Sequence, residues 1–339
     1  MSNVVLYGLT VLIWGSTWFA IEFQLGVVAP EISLVYRYGS ASLLLFAWCR
    51  FRGLGLRFAP RDHAWFVLLG LLLFGVNYII AYHAQVYLTS ALTAIAFSTM
   101  VWMNIVNARL FFGIRAGRRI WFGALLGVAG IVVLFAPQIG ELSLTDAVFF
   151  GAFLAVLSAL VASFGNMASQ AAQKARLPVI QSNMWGMFYG ALFTAVIALA
   201  EGQEYVFEWT MAYVGSLAYL TVFGSILAFG AYLTLLGRIG AHKAGYAMVM
   251  FPVVALILST LFEGLDVDTS IVVGTMLVLA GNMFVLNTRR ADRKTRACMA
   301  TEEPDCSTAT GGHRGATARA GGHAWPAARK KPRRSGVSA

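Results

Sequence analysis

Arg37, in the stretch SLVYRYGSAS (33–42), is the one Lys or Arg of this chain that falls inside an apolar run. A guanidinium offers a planar fork of donors that can bridge a carboxylate and backbone carbonyls at once. It can also snorkel to a headgroup layer, or hold an anionic group of a ligand. Glu22 and Glu31 precede it closely enough to be partners, and a clamp between Arg37 and Glu22 near a gate is the favoured expectation.

The other polar and aromatic residues of the apolar runs suit recognition rather than reaction. Phe74, Tyr78, Tyr82 and Gln85 share one helical face by their spacing. Trp14 with Trp18, Ser98 with Trp102, Ser163 with Asn166 and Gln170, and Tyr246 with Met250 are spaced in the same way. Rings on such faces stack on a planar apolar ligand, at about 0.5–1.5 kcal/mol per pair beyond burial. Hydroxyls and amides can hydrogen-bond the charged ends of an amino acid. Interfacial anchoring is the competing role for any Trp or Tyr, and Trp65, Trp121 and Trp209 fit it. The expected substrate-binding set is therefore Trp14, Trp18, Tyr78, Tyr82, Ser98, Trp102, Ser163, Asn166 and Tyr246, with Arg37 and Glu22 as gate or structural residues.

Reactive chemistry finds no comparable constellation. His63, His83, His242, His313 and His323 are scattered, without metal-ligand spacing to a Cys or acid. None of the five lysines follows a Gly-x-x-x-x-Gly loop. Catalytic residues, metal and cofactor are not expected. The acids fall in connecting segments or at run ends, so no carboxylate is expected at depth as a proton carrier. A carrier following its substrate's own gradient is the favoured reading.

The elements that must position these residues are apolar helices. The 339 residues are 59% hydrophobic and 12% charged, with a mean hydropathy of +0.72. Soluble domains carry roughly a quarter charged residues. Ten runs are placed at about 3–22, 31–50, 64–85, 90–111, 118–136, 146–171, 179–200, 210–236, 242–262 and 269–288. About twenty residues span a bilayer core as a helix. The first run is read as a retained helix, because it is long and holds Trp14 and Trp18 without a preceding basic residue.

Charge separates the connections into two sets. Alternate loops hold twelve Lys/Arg, among them Arg50, Arg109, Lys174 and Arg238, and the intervening loops hold none. By the positive-inside rule both termini are cytoplasmic, which requires an even number of crossings. Residues 289–339 carry twelve Lys/Arg and four Asp/Glu, most of the formal charge of +10. RRADRKTR (289–296), directly after an apolar run, suits anionic lipid heads. The Gly/Ala/Arg-rich remainder is expected to be a disordered tail, with no nucleic-acid role. Cys49, Cys298 and Cys306 fall on the cytoplasmic side and suggest no disulfide framework.

FGALLGVAGIVVL (122–134) and VGTMLVLAGNMFVL (273–286) share a Gly spacing, and YHAQVYLTSA (82–91) echoes YLTLLGRIGA (232–241) at nearly the same offset. Helices three to five thus echo eight to ten. A unit of five crossings is odd, so its copy is inverted. The expected organisation is a first repeat over 1–137, a second over 138–288 and the tail over 289–339. Inverted repeats around a central site are a transporter architecture.

WGSTWFAIEF (14–23) resembles the first-helix motif of the drug/metabolite transporter superfamily, EamA type. YRYGSASLLL (36–45) is similar to its second-helix arginine segment, and PVVALILSTLFEG (252–264) with GTMLVLAG (274–281) to its last-helices signature. The resemblance covers about residues 4–288. It departs at Glu22, where the family usually has lysine, in STMVWMN (98–104), which lacks the usual proline, and near Ile114, where an acid is missing. It implies an all-α integral membrane protein of ten helices in two inverted repeats around a central cavity, in a bacterial inner membrane, exporting small metabolites. Among its branches, the aromatic richness and tail look most like the aromatic amino-acid exporters. The expected function is export of aromatic or other large neutral amino acids by alternating access without nucleotide. A sugar-phosphate or nucleotide-sugar antiporter is the alternative, and a membrane-embedded enzyme the more distant one.

Overall fold

The computed structural model describes residues 1–113, 118–134, 147–239, 244, 246–281 and 283; the expected tail lies outside them. Ten helical segments run through the described residues: α1 Asn3–Glu22, α2 Pro30–Phe51, α3 Pro60–Tyr87, α4 Ser90–Phe112, α5 Arg118–Leu134, α6 Ala147–Lys174, α7 Val179–Ala200, α8 Met211–Ile239, α9 Tyr246–Phe262 and α10 Thr269–Gly281. No strand occurs among them. Seven (α1–α4 and α6–α8) are long and apolar enough to cross a membrane; the other three are apolar but shorter. Helices suit these runs because hydrocarbon offers the backbone no hydrogen-bond partner, and a helix pairs its own groups.

Local chemistry sets the starts. Ser2, Thr89 and Thr210 accept from Val5, Leu92 and Tyr213 amides as N-caps, and Pro30 and Pro60 open α2 and α3. The residue after α4, Gly113, ends it with a φ of +67°, a left-handed conformation that glycine adopts without strain.

α2 lies along α7, α1 against α8 and α9, α3 against α6 and α7, and α4 against α6 and α9. Exchanging each helix for the one five places along maps most of these main contacts onto one another. The two halves of the helix order interlock rather than stand apart, and Met1–Asp292 packs as one unit. α5 and α10 meet through glycine. A Cβ on Gly130 would stand 2.8 Å from the Gly274 carbonyl oxygen, and one on Gly281 would stand 2.6 Å from that of Gly123. Small residues allow this backbone approach where no hydrophobic effect drives helices together. The two glycine pairs oppose each other in antiparallel, symmetric register, and they belong to the two segments whose sequences echo.

Two features are not visible as helical periodicity. α3 loosens into a π-helical stretch at Gly70–Gly75, and α8 does so at Leu220–Ala228. They occupy corresponding places in the two halves. Such stretches displace backbone groups from the regular ladder and often occur at functional sites.

Candidate functional site

A cavity lies among α1, α3, α4, α6, α8 and α9. α1 contributes Trp14, Thr17 and Trp18; α3 contributes Asn77 and Tyr78; Phe97 and Met100 come from α4. Asn166 of α6, Phe229 and Tyr232 of α8, and Phe251 of α9 complete the wall. The rings brace one another. Trp14 sits 5.0 Å from Phe229 and 4.9 Å from Tyr232, while Trp18 sits 5.2 Å from Phe97 and stacks on Phe251 at 6.1 Å between centroids. Among the described lining residues none is charged. The empty space at the cavity is about 530 Å³, part of it open to solvent. Little of it is wide enough for a water molecule to move freely, so an aromatic ligand requires side chains to move apart.

The amides of the wall are held. Asn166 Nδ2 donates to Asn104 Oδ1 at 3.2 Å, and Asn77 Oδ1 accepts from Ser158 Oγ at 2.8 Å. Trp14 Nε1 donates to the Gly224 carbonyl at 3.3 Å, in the π stretch of α8. The stretch therefore serves the site: it turns a backbone acceptor toward the ring that walls the cavity.

One end of the bundle carries buried polar pairs. His83 Nε2 donates to Glu31 Oε1 at 2.7 Å. Gln85 Nε2 donates to the Trp18 carbonyl at 2.7 Å and to Glu22 Oε2 at 3.3 Å. Glu263 accepts from the Ser90 amide at 3.1 Å and from Ser259 Oγ at 2.6 Å. Gln24 donates to Ser216 Oγ and the Tyr213 carbonyl. These bonds tie α1 to α3 and α8, α2 to α3, and α4 to α9, next to the cavity.

Arg37 is 1% exposed, so it does not snorkel. The pair with Glu22 is not formed. Glu22 ends α1 at the acidic face and is engaged by Gln85, whereas Arg37 stands six residues beyond Glu31, about 9 Å further along its helix at 1.5 Å per residue. Its Nε instead donates to Ser225 Oγ at 2.9 Å, and Nη1 to Tyr82 OH at 3.2 Å. Its Cζ lies 4.8 Å from the centroid of Tyr78 and 5.1 Å from that of Tyr38. No carboxylate of a described residue forms an ion pair with it.

Of the expected site residues, Trp14, Trp18, Tyr78 and Asn166 line the cavity together. Tyr82 is buried behind it, on Arg37. Ser98 is fully buried and donates to the Ile95 carbonyl of its own helix. Trp102 packs toward α5, where a Cβ on Gly127 would stand 3.4 Å from its Nε1. Ser163 accepts from Asn107 Nδ2 at 2.8 Å, between α6 and α4. The side chain of Tyr246 lies outside the described residues. Sequence reasoning passed over Thr17, Asn77, Phe97, Phe229, Tyr232 and Phe251. An Asn inside the apolar run GVNYIIAYH was a usable signal for Asn77; nothing local distinguished Phe229 or Phe251 from lipid-facing phenylalanines.

Comparison with known proteins meets the same reading. The model of the EamA-like transporter family matches residues 2–136 and again 149–287. The chain belongs to the EamA-like transporter family. It is 28% identical over 254 residues to an inner membrane transporter of Escherichia coli, YedA, itself described as uncharacterized; that match covers 74% of this chain and 79% of YedA. It is 24% identical over 289 residues to the uncharacterized transporter YoaV of Bacillus subtilis, covering 82% and 96%. A biotin transporter of E. coli is 28% identical over 197 residues, 56% of this chain and 61% of its own. A solved structure superposes with a TM-score of 0.64 over 85% of this chain and 98% of its own, at 17% identity, which bears on the fold alone. The family and these relatives are transporters, not enzymes, and the family match in two parts agrees with the two-repeat architecture.

Proposed function

We propose that this member of the EamA-like transporter family exports aromatic or other large neutral amino acids across a bacterial inner membrane, by alternating access and without nucleotide. The observation that carries the reading is the cavity wall, which is rich in aromatic rings, carries amides and a threonine hydroxyl, and has no charged residue among those described. A planar side chain gains stacking there, and Asn77, Asn166 and Thr17 supply hydrogen-bonding groups. A sugar phosphate would want several cations at the wall, and none lines it.

Ten crossings in two inverted five-helix repeats, 1–137 and 138–288, complete the proposal. The helix contacts and the symmetric antiparallel seam of α5 and α10 support that arrangement. The split of basic residues supports cytoplasmic termini, with the Glu22–Glu31–Glu263 end outside. The polar pairs of that end would then close the outer gate, and the residues 289–339 would lie inside. Proteoliposomes holding the purified protein test the substrate class. Efflux of preloaded phenylalanine or tryptophan is expected without ATP; exchange of phosphorylated sugars with no amino-acid flux would replace this reading with the antiporter.

A further inference from the structure

The guanidinium of Arg37 has five N–H donors, of which Nε and Nη1 each find one acceptor, while Nη2 meets none. It is buried, and among described residues it has no carboxylate partner. A buried cation held only by two hydroxyls and the faces of two tyrosines lacks the counter-charge that such groups ordinarily have.

Its surroundings point the open side toward the cavity. A Cβ placed on Gly224 would stand 3.2 Å from Nη2 and 2.9 Å from the Thr17 methyl, so Gly224 packs directly against both Nη2 and this wall residue. Glycine allows this close approach, and a side chain there would crowd Nη2. Gly224 also accepts the Trp14 indole hydrogen through its carbonyl, and Trp14, Thr17 and Tyr78 all line the cavity. The Tyr78 ring, 4.8 Å from the guanidinium, is the remaining partition. Ser225 and Tyr82 hold the fork from its Nε side and at Nη1, leaving Nη2 free to bind an anion.

We propose that Arg37 is the receptor for the carboxylate of the transported molecule, reached past Tyr78 when the cavity widens. The site takes a monocarboxylate attached to a planar or apolar body, with the body among the rings around Trp14 and Trp18 and one carboxylate oxygen on Nη2. The proposal rests on the amino-acid reading and sharpens it. The carboxylate is the group that the protein binds by charge. The amine meets only neutral acceptors, because the described cavity wall has no acid. A carboxylate bound here would neutralise the buried cation during transport. Opening an empty cavity would expose that cation unpaired.

The test uses purified full-length protein and three probes: phenylacetate, which has the acid only; phenethylamine, which has the amine only; and phenylalanine. Binding is read from tryptophan fluorescence, since Trp14 and Trp18 line the cavity, and from the thermal unfolding midpoint. Phenylacetate and phenylalanine are expected to bind the wild type, with phenethylamine at least ten-fold weaker. Arg37→Gln should weaken phenylacetate at least ten-fold, and Arg37→Lys should restore part of that loss. Gly224→Ala, which leaves the arginine in place and puts a methyl group beside Nη2, should weaken phenylacetate more than phenethylamine; it decides the matter if neither Arg37 variant folds. The inference is overturned if phenylacetate fails to bind the wild type, if phenethylamine binds it equally well, or if phenylacetate binds folded variants as tightly as the wild type. Arg37-dependent binding of phenylacetate in a protein whose liposomes move no amino acid would keep this inference and remove the amino-acid reading.

Discussion

Replacing His83 with leucine strands a carboxylate. The Glu31 side chain is 2% exposed and the His83 side chain 43%, with 2.7 Å between Oε1 and Nε2. A hydrogen bond involving a charged group contributes about 1.5–3 kcal/mol net. The half-exposed imidazole moves the expected coupling to the bottom of that range and below it, about 1–2 kcal/mol, because water screens one side of the pair. Breaking a fully buried pair costs about 3–5 kcal/mol through the charge left behind. With a path to water at His83, His83→Leu should cost about 2–3 kcal/mol. At roughly 2–4 °C per kcal/mol that is a fall of about 4–12 °C in the unfolding midpoint. Glu31→Gln retains an acceptor for Nε2–H and should cost about 1 kcal/mol. The double variant Glu31→Leu/His83→Leu removes both partners and should recover part of the His83→Leu loss. The assay is thermal unfolding of His83→Leu, Glu31→Leu, the double variant and the wild type in one detergent. Additivity of the two leucine substitutions within about 0.3–0.5 kcal/mol would mean the residues do not interact, and would refute the argument.

Tyr78→Ala and Asn166→Ala should each lower transport per folded molecule at least several-fold in liposome efflux, whereas Trp102→Ala should lower the unfolding midpoint and leave that specific rate within about two-fold, because it packs on Gly127 away from the cavity. Gly130→Ala and Gly274→Ala should each destabilise by about 1–3 kcal/mol through overpacking; since both crowd one contact, the double variant should cost less than the sum in thermal unfolding. Glu22→Gln and Arg37→Lys should act additively on thermal stability, as their side chains share no hydrogen-bond partner. A reporter fused after Arg290 should read cytoplasmic, and a periplasmic signal would invert the proposed topology.

Hydropathy alone marked ten apolar runs, and among the described residues a helical segment occupies each, seven of them long and apolar enough to cross a membrane, because an apolar run in lipid needs a helix wherever it lies. The ends of α1, α2 and α7 fall within a residue of those runs. The echoed glycines 123 and 130 against 274 and 281 were legible too, and the fold places them face to face. What the sequence left open was which face of each helix turns inward. Trp102 and Trp14 look alike in their runs, yet one packs on Gly127 and the other lines the cavity, since neighbours from distant helices make that choice. Arg37 shows the same division. Its oddity was plain in the chain, but its acceptor Ser225 is 188 residues away, in a π stretch that spacing does not announce. The nearby acid Glu22 went instead to Gln85, and Glu31 to a histidine 52 residues on. Sequence fixes which residues must avoid lipid; only the packed bundle decides which of them meet, because pairing a buried charge depends on angles and depths that several helices set together.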